Sequence, residues 1–358
     1  NFVKELEAIP SVTASVKSDI RYEPFIDNLM RHVQGRLVAN EYSGEKSLDA
    51  PCELATQWIL RAFRNMIENA WGMTIDERDD DGGEEQDEAS AELTHAFNSN
   101  SVTDVCCDLL SYGLDAELKV ESMNLLVAML FKEGGALDVQ VQMYDRLSSS
   151  NSVYFFREMH QMIEDLIAWH QWNEVIILED GDEPDLPDAI INLRFMQLMC
   201  EGHYGSNQDI LREQPNNEES VNVLDDYVNY LDVLMKYRCK TNTTAALSVT
   251  AVICEVIQGP CVKNQMHFAL NTKLIEVVNR VLSSQVINDC DSDDEVELKK
   301  SVIDILQALL EGQVHPSPIY DRLLNMLHIE VIMALSEPPA SYLKRKALSE
   351  EENLLQIE

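Results

Sequence analysis

Residues 118–131 read Leu-Lys-Val-Glu-Ser-Met-Asn-Leu-Leu-Val-Ala-Met-Leu-Phe. Their apolar side chains recur every three or four positions, which places them on one face of an α-helix and predicts that this face is buried. The same spacing continues along most of the chain, and no segment shows a convincing alternation of apolar and polar residues. The other predicted helices cover 17–40, 49–72, 102–113, 136–147, 152–176, 188–200, 218–238, 244–258, 272–284, 295–311 and 318–335. The sequence therefore predicts an all-α protein.

Short connections separate most of these helices, and no coiled-coil heptad pattern is present. This arrangement predicts an armadillo-like α-solenoid of stacked helix pairs or triplets. No clean repeat period is visible, although repeats of this type often diverge beyond recognition. An irregular helical bundle is the alternative. The 13 glycines and 11 prolines among 358 residues are few, as expected of long helices, because both residues interrupt them.

Three acidic segments interrupt the predicted helices, and we expect solvated loops there because like charges repel. They run from Asp76 to Glu88, from Glu179 to Asp188 and from Asp289 to Glu297. The predicted organisation is an N-terminal helical part (1–75), an acidic loop and linker (76–101), helical repeats (102–178), an acidic linker (179–188), a second helical region (189–335) and a C-terminal tail leading to a downstream domain (336–358).

The first acidic segment partly matches an EF-hand calcium loop, which needs carboxylates at positions 1, 3 and 5, glycine at position 6 and glutamate at position 12. Position 1 is a glutamate, although aspartate suits the tight first turn, and position 8 is charged where an apolar residue is usual. We therefore favour a disordered acidic loop over a calcium loop. The residues concerned are Glu77, Asp79, Asp81, Gly82, Glu84 and Glu88.

The formal net charge of −36 repels phosphate, so nucleic acid is a poor candidate partner and an anionic membrane surface is little better. No apolar run approaches the ~20 residues that span a bilayer, so this segment is not expected to insert into a membrane. The 8 cysteines form no CxxC motif and lie scattered in apolar runs, which is typical of a reducing compartment.

Catalytic motifs are missing from the sequence. A nucleophile elbow, a glycine-rich phosphate loop and a Ser-His-Asp arrangement do not occur, and Gly134-Gly135 follows a helix end, where glycine serves as a cap. We also expect that none of the 8 histidines pairs at i, i+4 with a second metal ligand on one helix face. The prediction is that the chain is not an enzyme.

Two carboxylates occupy unusual positions. Glu201 follows the apolar run 193–200, and Glu255 lies inside the apolar helix 251–257. A carboxylate on an apolar helix face is costly unless a cation or a hydrogen-bond donor meets it. A buried salt bridge or a capping hydrogen bond would account for each one, and a metal site is the alternative.

The segments around these two residues resemble inositol trisphosphate and ryanodine receptors. Residues 194–203, Arg-Phe-Met-Gln-Leu-Met-Cys-Glu-Gly-His, are similar to the receptor segment Arg-Phe-Leu-Gln-Leu-Leu-Cys-Glu-x-His. Residues 255–265, Glu-Val-Ile-Gln-Gly-Pro-Cys-Val-Lys-Asn-Gln, resemble the receptor stretch Thr-Glu-Tyr-x-Gln-Gly-Pro-Cys-x-x-Asn-Gln. Further similar motifs follow in the same order as in the receptors, at 103–109, 134–140, 155–156 and 309–314. The resemblance covers about residues 102–335 and leans slightly toward the inositol trisphosphate branch.

The resemblance implies the cytosolic regulatory solenoid of a tetrameric calcium-release channel, on the cytosolic face of the endoplasmic or sarcoplasmic reticulum. In such a channel this region senses cytosolic calcium and passes ligand-induced motion to the pore. Its expected partners are the pore and C-terminal domains of the same channel, neighbouring subunits of the homotetramer and regulatory proteins. A stand-alone armadillo-like scaffold without a calcium site is the alternative.

The resemblance also implies a Ca²⁺ site. Glu201 and Glu255 match the two calcium ligands of the family, which a backbone carbonyl from a pore-proximal segment completes, and His203 and Gln258 match residues that support those ligands. Two family residues are replaced here: Cys254 occupies the position of a threonine, and Val256 occupies the position of a tyrosine. The spacing between the two glutamates is shorter than in the receptors, which indicates a trimmed helix-loop segment around 215–245.

Overall fold

The computed structural model describes residues 22–36, 38–39, 46–48, 50–71, 84–112, 114–132, 134–180, 185–236, 239–283, 292–328 and 330. Apart from one short antiparallel pair of strands, β1 (Val38–Ala39) and β2 (Lys46–Ser47), the regular structure is helical. The α-helices are α1 (Tyr22–Arg36), α2 (Ala50–Trp71), α3 (Glu84–Ser99), α4 (Val102–Leu110), α5 (Ala116–Leu130), α6 (Leu137–Leu147), α7 (Val153–Asp180), α8 (Ile191–Cys200), α9 (Gly205–Arg212), α10 (Leu224–Leu234), α11 (Lys240–Ile257), α12 (Val262–Asn271), α13 (Leu274–Ser283), α14 (Ser292–Leu310) and α15 (Pro318–Met326). The predicted all-α class is confirmed.

The helices stack as three parallel rows. Row A contains α1, α4, α7, α10 and α13; row B contains α2, α5, α8, α11 and α14; row C contains α3, α6, α9, α12 and α15. Each helix packs against the preceding and the following member of its own row. One helix from each row makes a repeat, so the described chain is a solenoid of five three-helix repeats, and the prediction of stacked triplets is confirmed.

The row B helices form the centre of the core, and local sequence determines where they begin and end. In α5 the carboxylate of Asp115 accepts a hydrogen bond from the backbone N–H of Glu117, which caps the helix start. Ten of its residues are buried, including Met123 and Leu126. Left-handed glycines follow α5, α8, α11 and α14, because only glycine adopts that conformation without strain. They are Gly134, Gly135, Gly202, Gly259 and Gly312.

Buried glutamines join successive repeats at these helix ends. A row C helix of one repeat donates its glutamine amide to backbone carbonyl groups at the end of the row B helix in the next repeat. The bonds run from Gln140 Nε2 to Glu201 O (2.8 Å), from Gln208 Nε2 to Glu255 O (2.7 Å) and Gln258 O (3.0 Å), and from Gln265 Nε2 to Ala308 O (2.7 Å) and Glu311 O (3.0 Å). This glutamine ladder satisfies carbonyls that the helices leave unpaired.

All three predicted acidic loops are partly helical: in the second one, α7 extends to Asp180 and a short helical turn begins at Asp188. Helix α3 begins at Glu84, so the expected loop and linker over 76–101 is wrong for residues 84–99, and residues 76–83 lie outside the described residues. Helix α14 begins at Ser292 and therefore includes most of the third acidic segment. Acidic residues in a first helical turn are stabilised by the positive end of the helix dipole, which offsets their mutual repulsion.

Candidate metal centre

Glu201 and Glu255 lie at the carboxyl ends of two neighbouring row B helices. Glu201 directly follows α8, and Glu255 occupies the last turn of α11. Because α8 and α11 are equivalent helices of successive repeats, their carboxyl ends face the same side of the solenoid. The two side chains are close enough for the negative charge of Glu201 to raise the pKa of Glu255. The shortened spacing between the two residues therefore leaves them near one another.

The backbone after Glu201 makes a tight turn that fixes the position of this residue. Gly202 is left-handed with φ 69°, and a Cβ atom there would lie 2.0 Å from the carbonyl oxygen of Gly134. His203 is also left-handed, with φ 62°, which is a strained conformation for a residue other than glycine. The neighbouring Gly134 loop and the bond from Gln140 to the Glu201 carbonyl hold this turn.

Glu255 is half-buried, and its Oε2 atom is fully enclosed without a hydrogen-bond partner in the part of the chain that the structure describes. Burial raises the pKa of Glu255 from 4.5 to about 7. The negative charge of Glu201 adds to this rise, and the positive charge of Arg194 opposes it. Proton uptake or a bound cation would relieve the same energetic cost.

Glu121 shows how this fold stabilises a buried carboxylate that serves structure alone. Its side chain is 4% exposed and lies 3.3 Å from Arg61 and 3.2 Å from Arg64, both on α2. Glu255 has two charged neighbours, the carboxylate of Glu201 and the guanidinium of Arg194, and its Oε2, like Oε1 of Glu121, is buried without a hydrogen bond. Arg194 therefore offsets part of the negative charge, and a bound cation would offset more of it.

The helix ends add to the negative potential around the two glutamates. The carboxyl end of a helix carries a partial negative charge, so a carboxylate placed there is disfavoured and a cation is favoured. The site combines the ends of α8 and α11 with two carboxylate groups. This arrangement can attract a divalent cation and provides carboxylate oxygens, the ligand type that calcium prefers.

The two predicted supporting residues lie next to the glutamates. His203 is exposed, and its Cβ packs so closely on Gly259 that a Cβ at that glycine would lie only 2.4 Å away. Gln258 caps α11 and donates its side-chain amide to Cys254 Sγ at 3.0 Å. His203 thus holds the two helix ends together through packing, and the Gln258 amide is directed at Cys254.

The sequence analysis did not identify Gln208 as part of this region. It is 2% exposed, and its amide donates to the backbone carbonyls of Glu255 and Gln258, so it fixes the helix end that carries one candidate ligand. The sequence does contain a usable signal: in three places a glutamine lies six positions after a glycine that adopts the left-handed conformation. The pairs are Gly134 and Gln140, Gly202 and Gln208, and Gly259 and Gln265.

An open groove of about 740 Å³ lies beside the site, between the turns that follow α8 and α11. His203, Gly259, Arg212 and Lys263 are among the residues that line it. Neither glutamate lines this groove. It is a neighbouring surface that shares His203, Gly259 and Gln208 with the surroundings of the candidate metal centre.

Two other sequence-based expectations concern metal sites. The EF-hand-like residues up to Gly82 lie outside the described residues, and Glu88 lies in α3.

The expectation that no histidine pairs with a second ligand at i, i+4 is wrong. His160 and Glu164 are four residues apart on α7, and their ligand atoms lie within 4.8 Å of each other and of an Asp226 oxygen on α10. Asp226 is distant in sequence, so only the fold reveals this cluster.

Residues 188–282 match the family model described as RyR and IP3R Homology associated. The match covers about a quarter of the chain and includes Glu201, Glu255, His203 and Gln258. It confirms the resemblance to the ryanodine and inositol trisphosphate receptor superfamily over this span. The matched span extends from the helical turn before α8 to α13.

Proposed function

We propose that this chain, which contains a domain of the ryanodine and inositol trisphosphate receptor superfamily, is a cytosolic regulatory solenoid of a tetrameric calcium-release channel. In this role it senses cytosolic calcium and couples ligand binding to pore opening. The observation that carries the proposal is the orphaned, buried oxygen of Glu255 beside the carboxylate of Glu201. The match at 188–282 supports the channel context.

Calcium binding at this site would use both carboxylates as ligands. Calcium takes about six to eight oxygen atoms at ~2.3–2.6 Å, and two carboxylates supply at most four. Water and a third protein group would complete the shell. We propose that the third group is a backbone carbonyl of a pore-proximal segment, as the family resemblance implies, while His203 and Gln258 support the two glutamates from outside the coordination shell.

A ligand set shared between two domains explains why binding would move the channel. An ion held by the solenoid alone binds equally well in the open and closed states, so it does not change the equilibrium between them. An ion that needs an oxygen from a second domain favours the arrangement in which the two domains meet. The neighbouring pore domain, the other subunits of the tetramer and regulatory proteins are therefore the proposed partners.

The proposed location is the cytosolic face of the endoplasmic or sarcoplasmic reticulum membrane. Across the described ranges, no helix combines the length and apolarity that a bilayer crossing requires. The attachment to the membrane would therefore come from the pore domain of the channel. The net charge of −36 would also concentrate cations near the solenoid surface at low ionic strength.

Isothermal calorimetry with Ca²⁺ tests the site directly in the purified chain. The wild type is compared with Glu201→Gln, Glu255→Gln and the control Glu92→Gln, which removes a charge from an exposed position on α3. We expect weak binding, in the millimolar range typical of incomplete calcium sites. Both site variants should abolish it, and the control should leave it unchanged.

Equal calcium binding by the wild type and both site variants would contradict the proposed ligands and would direct attention to the acidic segment at 77–88. If the isolated chain shows no heat of binding, the same four proteins are tested in the full channel by the calcium dependence of its open probability. A calcium dependence that neither site variant alters would favour a scaffold role without a calcium site.

A further inference from the structure

Three potential metal ligands converge between two row A helices. His160 and Glu164 lie on α7, and Asp226 lies in the first turn of α10. Residues four apart on a helix point in the same direction, so α7 presents an imidazole and a carboxylate together to α10. One ligand atom from each of the three side chains lies within 4.8 Å of the other two.

The three ligand atoms are close to the geometry that a small transition metal requires. Ligand atoms on a tetrahedral zinc ion lie about 3.3 Å apart, given metal–ligand distances of ~2.0–2.1 Å. The Nδ1 atom of His160 already lies 2.8 Å from Asp226 Oδ2. Small side-chain rotations would therefore bring all three atoms into one coordination shell, and a water molecule could occupy the fourth position.

The charge balance of the cluster also favours a cation. Two of its three members, Glu164 and Asp226, are carboxylates, and Asp226 Oδ2 already lies against the His160 ring. Asp226 is 4% exposed, so its carboxylate is held largely away from water. The two carboxylates of the cluster thus share the His160 imidazole, whereas the adjacent Asp225 pairs with His267 at 2.7 Å.

We propose that His160, Glu164 and Asp226 form a binding site for Zn²⁺ that joins the third and fourth repeats of the solenoid. An imidazole nitrogen suits zinc and other first-series transition metals, whereas calcium and magnesium prefer oxygen ligands. His160 is partly exposed, so the ion can enter from solvent. Because α7 and α10 belong to different repeats, a bound ion would stabilise their interface.

The test is a Zn²⁺ titration of the purified chain, with calorimetry for affinity and thermal unfolding for stability. The informative variant is Glu164→Gln, because this side chain is partly exposed and its loss leaves the part-buried His160–Asp226 bond in place. His160→Asn is the second variant. His95→Asn is the matched control, since His95 is exposed and 3.9 Å from Asp138 on a different part of the surface.

We expect one Zn²⁺ per wild-type chain, a rise in its melting temperature, and binding that is weakened about tenfold or more by either cluster variant. His95→Asn should bind like the wild type, and millimolar Ca²⁺ should not displace the zinc. Zinc binding of equal strength in the wild type, Glu164→Gln and His160→Asn would place the ion on other ligands, such as the partly exposed thiols, and would overturn the proposal. The absence of stoichiometric zinc binding to the wild type would overturn it as well.

Discussion

Replacing Glu255 by glutamine removes a carboxylate from a site that disfavours negative charge, so it should stabilise the protein in a pH-dependent manner. The pKa of Glu255 is raised from 4.5 to about 7 in the folded protein. Between these values the folded chain holds a proton that the unfolded chain has released. The free energy of unfolding of the wild type therefore falls as the pH rises from 4.5 through 7. Glutamine cannot ionise, so the variant does not lose this stability.

The size of the effect follows from the same pKa difference. A rise from 4.5 to about 7 corresponds to at most about 3 kcal/mol. Glu255 is only half-buried, and screening by solvent reduces this to about 1–2 kcal/mol. We expect nearly equal stability of wild type and variant at pH 4.5, and a variant about 1–2 kcal/mol more stable at pH 8.

Urea denaturation at pH 4.5 and pH 8, in the presence of a calcium chelator, measures this difference. Other carboxyl groups with a raised pKa, such as Asp226, titrate in the same pH range. They are present in both proteins, so their contributions cancel in the comparison. Glu92→Gln is again the control and should show no such pH dependence. A Glu255→Gln protein that is as stable as the wild type at both pH values, or less stable at pH 8, would refute the assigned surroundings of Glu255.

Two further predictions concern the turns and the glutamine ladder. Gly202→Ala should lower the free energy of unfolding by about 2–3 kcal/mol, since its Cβ would meet the Gly134 carbonyl at 2.0 Å, whereas Gly35→Ala, which has open space, should not destabilise. Gln265→Ala should cost about 1–3 kcal/mol because the Glu311 carbonyl loses this donor and the Ala308 carbonyl keeps only the bond from the Glu311 N–H, while Gln161→Ala on the exposed side of α7 should be nearly neutral. Chemical denaturation measures both pairs. A variant that loses no more unfolding free energy than its matched control would contradict the packing or hydrogen bonding described for that residue.

The sequence predicts the row A and row B helices well because their apolar residues recur at helical spacing. It misses α3, α9 and α12, which all belong to row C. In α9 and α12 the buried face carries amide side chains, so the polar residues that usually mark a solvent-facing surface point into the core instead. These residues are Asn207, Gln208, Asn264 and Gln265. Their partners are backbone carbonyls of other helices, in the same repeat or a neighbouring one, and apolar periodicity does not reveal them.

The candidate calcium ligands were accessible from sequence through the motifs at 194–203 and 255–265, since short motifs preserve ligand identity. The hydrogen bonds that hold the helix end at Glu255 were not accessible from the motifs, because Gln208 donates them to backbone carbonyls in the next repeat. The zinc cluster shows the same limit. His160 and Glu164 are recognisable as an i, i+4 pair, but Asp226 comes near them only when α10 packs on α7.

The glutamine ladder determines how a force at the candidate calcium site would spread. Gln208 binds the carbonyl of Glu255, and Asn264 donates to the carbonyls of Gln208 and Val256, both at 2.8 Å. The next step, from Gln265 to Ala308, continues into the last described repeat. Buried amide bonds of this kind are costly to break because each rupture leaves unpaired groups in a medium of low polarity. The repeats on both sides of Glu255 should therefore move together as one body, and an ion shared with a second domain would displace that whole body rather than a single helix end.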